Sequence, residues 1–482
     1  MTAADSLLKI STYRSIAQSL PITSLGLGAV LLSGLIGVLL NQPSREDDGI
    51  HASLSRVSGA FSLIQSFHGD SKRPAPQLWN QRLGLVRAAN LWKRQGRSIW
   101  WQGWSDDGDA YLILQDQLLA TDTKNLRKHQ VLGLTFLGSD ELHRQQLIQR
   151  LQRQPERPAQ PTSLQRRCMQ RLANAPAVFW TSDALAAISG TTASLLQQGS
   201  HGCLALRLTG DTLHWGGVVG DRSIALAASQ PKQGWNLAVP DRQKPENFDQ
   251  DSLLEVHGAR VDLILGTLLS RQIIQQPLES QYGVNQSIRS RLALSPFSLR
   301  LQQQAKGSYR AGLQFQAPLP GGASAWVSVL DRVSNHLEER GFQRFKPAED
   351  NAKKADAVIW KDKREGQNKI VGGWRWLLQP HPNPTLLSAG LASLPDTKPF
   401  YQALPASTLS ALKLNARPRN LVSLGLMNGS WPALLKQADF VQVQIKPAIT
   451  SPHLKASGQQ TWWEISGQLV LSSAADSSED SD

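Results

Sequence analysis

Residues 97–116 read "RSIWWQGWSDDGDAYLILQD". Two apolar, strand-forming runs, "RSIWWQGW" and "DAYLILQD", flank Ser105-Asp106-Asp107-Gly108. Aromatic and β-branched side chains suit a pleated surface, and Asp-Gly between such runs favours a tight turn, so the stretch predicts a β-hairpin. A helical pattern over 77–94 precedes it. A helix followed by a hairpin is thus the first unit, and the rest of the chain repeats that order.

The second unit places a helix from Ser182, its N-cap, to Gly199, its C-cap, before "CLALRLTGDTLHWGGVV", which turns at Thr209-Gly210-Asp211. The third sets a helix near 259–275 before "FSLRLQQQAKGSYRAGLQFQ", where Phe297, Leu299 and Leu301 face Leu313 and Phe315. In the fourth, Trp326, Leu330, Val333 and Leu337 form one helical stripe ended by Gly341, ahead of "DAVIWKD" and "KIVGGWRWLL". The fifth joins "SWPALLKQ" to "DFVQVQIK" and "TWWEISGQLVL". This succession predicts an α+β fold of antiparallel sheets with helices on one face. It excludes the single-strand alternation of a parallel nucleotide-binding sheet. Trp92-Lys93 leading to Gly96 and Trp104 resembles Trp360-Lys361 leading to Gly366 and Trp374, a match that an old duplication or chance explains about equally well.

Residues 21–40, "PITSLGLGAVLLSGLIGVLL", are uncharged. Twenty helical residues rise roughly 30 Å, the thickness of bilayer hydrocarbon, which predicts a transmembrane anchor. The large residues Val38, Leu39 and Leu40 lie where a signal peptidase needs small ones, so the anchor is expected to stay uncleaved. Lys9 and Arg14 precede it, while Arg45 is followed by Glu46, Asp47 and Asp48. That bias puts the N-terminus in the cytosol and the bulk of the chain on the periplasmic or lumenal side. Ala29, Ser33 and Gly37 share a helical face that a second membrane helix can approach closely. The expected organisation is a cytosolic segment (1–20), the anchor (21–40) and a juxtamembrane linker (41–75). Three α+β regions (76–227, 228–325 and 326–471) and a disordered acidic tail (472–482) follow. The Pro-rich stretch 155–163, "PERPAQPTS", reads as a linker and 228–249 as a loop.

The net charge of +13 raises nucleic acid as a partner, but no zinc finger, helix-turn-helix or RNP motif accompanies it. A basic face beside anionic lipid, or a solvated surface, accounts for the charge as well. The 15 tryptophans point to cores or interfaces. Cys168 and Cys203, the only cysteines, fit either one disulfide or two buried thiols, and are too few for a thiolate metal cluster.

Motifs that carry chemistry are sparse. Asp106, Asp107 and Asp109 lack the distal ligands of a calcium loop and read as turn residues. Trp100 and Trp104 share a strand face with Trp101 opposite, a pattern of core packing more than of a carbohydrate platform. Ser200-His201-Gly202 and Pro380-His381-Pro382 show no triad spacing, although distant residues can assemble one. No Gly-x-Ser-x-Gly, phosphate-binding loop or dinucleotide fingerprint occurs. The sequence assigns no catalytic residue, and neither cofactor nor metal is expected.

The stretch "LLSRQIIQQPLESQYGV" with "SPFSLRLQQQAKGSYRAGLQFQ" (268–316), and the Trp-, Gln- and Leu-rich style of the chain, resemble N-terminally membrane-anchored cyanobacterial proteins of unknown function. The resemblance implies a photosynthetic bacterium, with the plasma or thylakoid membrane as the site. The expected role is a non-enzymatic binding or assembly factor, with membrane lipids around its helix and a membrane or envelope protein as partner. The alternatives are an exported hydrolase with a dispersed site and a module binding lipid or envelope polymer.

Overall fold

The computed structural model describes residues 49–471 apart from 96–97, 106–107, 117–127, 132, 154–162, 185–198, 221–247, 250, 265–271, 305–308, 346–356, 363–368, 378–384, 405–410, 428–432 and 448–461. The expected anchor (21–40), the cytosolic segment, the linker at 155–162, most of the loop at 228–249, most of the helix from Ser182 to Gly199 and the acidic tail lie outside the described residues. Among the described residues, no helix is long and apolar enough to cross a membrane.

The predicted hairpin is present. Strand β2 (Ile99–Trp104) pairs antiparallel with β3 (Ala110–Gln115), Trp101 opposite Ile113, and Gly108 takes the turn at φ +83°. On its other edge β2 pairs with β1 (Leu63–His68), which follows helix α1 (Ile50–Val57). Residues 50–68 are therefore not the juxtamembrane linker expected from sequence. Leu54, Val57, Phe61 and Ile64 are core residues, and the serines and the one arginine between them made the stretch read as polar. The helical pattern at 77–94 divides into α2 (Gln77–Leu83) and α3 (Leu85–Gln95), broken at Gly84, whose φ is +81°.

The remaining strands of the N-terminal half are β4 (Lys128–Val131), β5 (Leu134–Leu137), β6 (Ala177–Trp180), β7 (His201–Thr209) and β8 (Thr212–Gly220). Their pairings give the order β4-β5-β3-β2-β1-β6-β7-β8. Helices α4 (Glu141–Arg153) and α5 (Ser163–Asn174) lie between β5 and β6 in the chain.

The second half contains β9 (Ser252–Gly258), helices α6 (Gln272–Ser280) and α7 (Gln286–Ala293), β10 (Phe297–Gln303) and β11 (Ala311–Pro318). It continues with α8 (Val327–Glu339), β12 (Phe342–Phe345), β13 (Val358–Asp362), β14 (Lys369–Leu377), β15 (Leu386–Leu391) and β16 (Leu412–Ala416). Helices α9 (Pro418–Ser423) and α10 (Ala433–Lys436) then lead to β17 (Ala438–Pro447) and β18 (Trp462–Leu471). The order here is β12-β13-β14-β15-β11-β10-β9-β16-β17-β18.

Apart from the inserted β12–β13 pair with α8, the two orders are the same. β1 corresponds to β9, the β2–β3 hairpin to β10–β11, β4–β5 to β14–β15, and β6, β7 and β8 to β16, β17 and β18. The halves join where β8 pairs antiparallel with β18, Gly216 opposite Ser466, making one antiparallel sheet of 18 strands among the described residues. This repeat in topology is not the one suggested by Trp92–Trp104 and Trp360–Trp374. Trp104 lies on β2, whose counterpart is β10, and Trp374 lies on β14, whose counterpart is β4.

Helices cover both sides of the N-terminal half, not one face as expected. On the first side, Ile64, Trp101, Ile113, Phe136, Phe179, Cys203 and Val218 pack with α1, α4 and α5. Trp101 Nε1 donates to the Leu172 carbonyl (2.7 Å), and a Cys168–Cys203 disulfide ties α5 to β7, which resolves the choice left open by the sequence. On the second side, Trp100, Leu112, Leu114 and Leu137 pack with α2 and α3, where the rings of Trp79, Trp92 and Trp100 meet edge to face. The tryptophans read as core residues are so used at Trp100 and Trp101.

In the C-terminal half the second side is again apolar. Val256, Phe297, Ala317, Leu387 and Leu412 meet Trp326 and Val329, with Leu330 partly buried beside them. The expected stripe is therefore shifted. The buried positions of α8 are Val329 and Ser334, while Leu330, Val333 and Leu337 are half-buried. The first side of this half is different, and it is the subject of the next section.

Candidate functional site

Alternation along a strand sends every second side chain to the same face. Opposite the apolar face of the C-terminal half, the pairing registers line up two polar rows. In the first, Arg375, Ser388, Gln316, Ser298, His257, Lys413, Gln444 and Ser466 are successive cross-strand partners from β14 to β18. In the second, Gln314, Arg300, Glu255, Asn415, Gln442, Gln468 and His214 follow one another from β11 to β8. On β8, His214 and Val218 share a face, so this is the same side of the sheet that α1, α4 and α5 close with apolar side chains in the N-terminal half.

The duplicated topology explains what lies over these rows. In the N-terminal half, the connection from β5 to β6 forms α4 and α5. Its counterpart, between β15 and β16, is described over 392–404, a strap that is neither helix nor strand and bends at 392–393 and 397–398. Pro395 and Pro399 in "SLPDTKPFYQ" (393–402) remove two amide donors and disfavour helix. The sheet holds this strap by its main chain. Gln316 Nε2 donates to the Lys398 carbonyl (3.0 Å), and its Oε1 accepts from the amides of Phe400 (2.8 Å) and Tyr401 (2.9 Å). Gln314 Nε2 donates to the Leu394 carbonyl (2.6 Å) and its Oε1 accepts from the Asp396 amide (3.2 Å). Ser388 donates to the Asp396 carbonyl (3.2 Å), and Ser298 Oγ accepts from the Gln402 amide (3.1 Å).

Charge collects on the same face. Arg300 Nε lies 2.7 Å from Glu255 Oε1, and its guanidinium sits over the Phe400 ring at 4.6 Å. Burial raises the Asp396 carboxyl above the usual range, opposed by the attraction of Arg300 and Arg375. Burial lowers the Arg375 and Lys413 cations and raises the Tyr401 phenol. His257 is held low by burial, with Glu255 opposing that shift and Arg300 adding to it. A neutral His257 lets Nδ1 accept from Ser298 Oγ at 2.7 Å. Asn415 is 4% exposed, and its Oδ1 has no hydrogen-bond partner among the described residues.

The sequence-stretch candidates lie elsewhere. Asp106, Asp107 and Pro380-His381-Pro382 are outside the described residues. Asp109 pairs with Arg82 (3.0 Å), a structural link from the hairpin to α2. Ser200 Oγ lies 3.0 Å from His201 Nδ1 at the start of β7. At the N-terminus of α4, Ser139 (3.0 Å) and Asp140 (2.8 Å) both meet the same nitrogen of His143, so no relay through the ring exists there. Among the described residues, no group of His, Cys, Asp and Glu side chains is placed to hold a metal ion. The polar face was missed because its signal, polar alternation in "FSLRLQQ", "AGLQFQAP" and "FVQVQIK", is also that of any solvated strand face. No family model, curated protein or solved structure matches the chain.

Proposed function

We propose that the chain is a single-pass, membrane-anchored binding protein that holds its partner on the polar face of the C-terminal half-sheet. The observation that carries this reading is the contrast between the halves. One topology, used twice, closes a face with helices and apolar side chains in the first half and lays polar rows on it in the second. A face that served only as a core would gain from apolar side chains, since buried polar groups cost free energy unless fully paired. The uncharged run at 21–40 supports the anchor. The Cys168–Cys203 disulfide supports an oxidising periplasmic or lumenal location for the bulk of the chain. The cyanobacterial resemblance of residues 268–316 supports a plasma or thylakoid membrane.

The test places a photoreactive residue at Gln444, on the polar face, or at Ile273, exposed on α6, in the full chain in native membranes. The reading expects membranes to retain the protein after alkaline carbonate washing, and discrete adducts from Gln444 but not from Ile273. Soluble recovery sinks the anchor, and equal adduct patterns at the two positions sink the binding face.

One contact favours a hydrolase as a second reading: Ser298 Oγ stands 2.7 Å from His257 Nδ1, nucleophile beside base. Both residues are buried, and Ser298 already accepts the Gln402 amide of the strap. Covalent labelling of Ser298 by a fluorophosphonate would place this reading first.

A further inference from the structure

The strap is bound in a manner that specifies a ligand class. Six of the sheet-to-strap hydrogen bonds, from Gln314, Gln316 and Ser388 and to Gln314 and Gln316, engage main-chain N–H or C=O groups, and Ser298 takes a seventh. A side-chain amide presents an acceptor oxygen and two donor hydrogens, the complement of a peptide group, so a row of amides reads a backbone with free main-chain groups independently of its side chains. The rows continue past the strap through Asn415, Gln442 and Gln468, where the buried Asn415 Oδ1 lacks the donor that a backbone N–H supplies. Arg300 and Arg375 attract the carboxylate of Asp396, and Arg300 stacks on Phe400.

Resting on the binding role proposed above, we propose that this face takes a polypeptide segment that is neither helix nor strand, read through its main chain and carrying an acidic residue with an aromatic one four positions later. Residues 393–402 are its built-in occupant and compete with the partner for the track. A tethered occupant acts at a high effective concentration, so the partner engages when the strap lifts.

The test uses the full chain with residues 393–402 replaced by a ten-residue Gly/Ser segment, and the labelled synthetic peptide SLPDTKPFYQ as probe. Saturable binding is expected, at least tenfold tighter than to the unmodified chain. It is expected to fall tenfold or more when the peptide amides matching Phe400 and Tyr401 are N-methylated, and severalfold when the acidic residue is Asn. Excess peptide is expected to suppress the Gln444 photoadduct in membranes. Should the replacement prevent folding, protease sites inserted at Ala392 and Ala403 let the chain fold first, and the cut strap is expected to exchange with labelled peptide. Binding indifferent to N-methylation, absence of binding or exchange by a cooperatively melting chain, or displacement by an oligosaccharide and not by the peptide overturns the inference. In those cases a persisting Gln444 adduct leaves the binding face standing, and its loss from the unmodified chain would remove both.

Discussion

Gln316→Leu separates the strap from the sheet that carries it. Gln316 is fully buried, and the substitution roughly keeps its volume while removing three hydrogen bonds to the strap, at the Lys398 carbonyl and the Phe400 and Tyr401 amides, and a longer one to Ser388 Oγ (3.4 Å) within the sheet. At about 1 kcal/mol net for each bond, the strap loses about 3 kcal/mol, which is roughly a hundredfold in its opening equilibrium. Phe400 and Tyr401 are half-buried and Lys398 is exposed, so a released strap regains water, and most of the loss is expected as local opening and not as global unfolding. Residue-resolved hydrogen exchange reads this directly. The Phe400 and Tyr401 amides should exchange roughly a hundredfold faster, by the same arithmetic, while β9 and β10 amides keep their protection. Unchanged exchange at both amides would refute the claim that Gln316 holds the strap.

Further outcomes follow from other contacts. Replacing Cys168 and Cys203 by Ala opens a link spanning 35 residues, and loop entropy sets the cost at about 4 kcal/mol, measured by denaturant unfolding against the oxidised chain. An unchanged midpoint would mean that α5 stays docked on β7 without the bond. Leu330→Asp sets a carboxylate against the apolar cluster around Trp326 and should cost about 2–4 kcal/mol, so a variant that melts with the parent contradicts the packing of α8. Burial lowers His257, so the unfolded chain binds the proton more readily. Stability is full above the ordinary histidine range and falls as pH drops through it. His257→Gln should flatten that part of the pH–stability curve, and a parallel curve would show that the group titrates normally.

Much of the local structure was legible because hairpins are set by neighbours in sequence. Asp107-Gly108 joined β2 to β3, Gly210 joined β7 to β8, and the apolar alternation at 297–303 and 311–318 matched β10 to β11. The join between halves was not legible. β8 finds β18 some 250 residues away, through "LHWGGVVG" and "WWEISGQLVL", which carry no mark of each other. The same holds for β9 with β16 and for β11 with β15. Without those registers, the glutamines of three strands were separate solvated faces, and only the nonlocal pairings align them into rows. The strap was not read from the sequence at all, since nothing local tied Phe400 to Gln316.

The polar rows serve either a partner or a core, and one variant separates these most directly. Changing Asn415, Gln442 and Gln468 together to Leu removes the unpaired Asn415 Oδ1 and the Gln468–Gln442 hydrogen bond (3.0 Å) at once. Exchanging both partners of a buried polar pair for apolar groups of similar shape is close to neutral in stability. The decisive measurement is the photoadduct yield from Gln444 in membranes carrying this triple variant, with its melting temperature alongside. The account expects melting within a few degrees of the parent and loss of the adduct. A variant that melts like the parent and keeps its full adduct yield would show that these rows are interior packing and that the partner, if held at all, is held elsewhere.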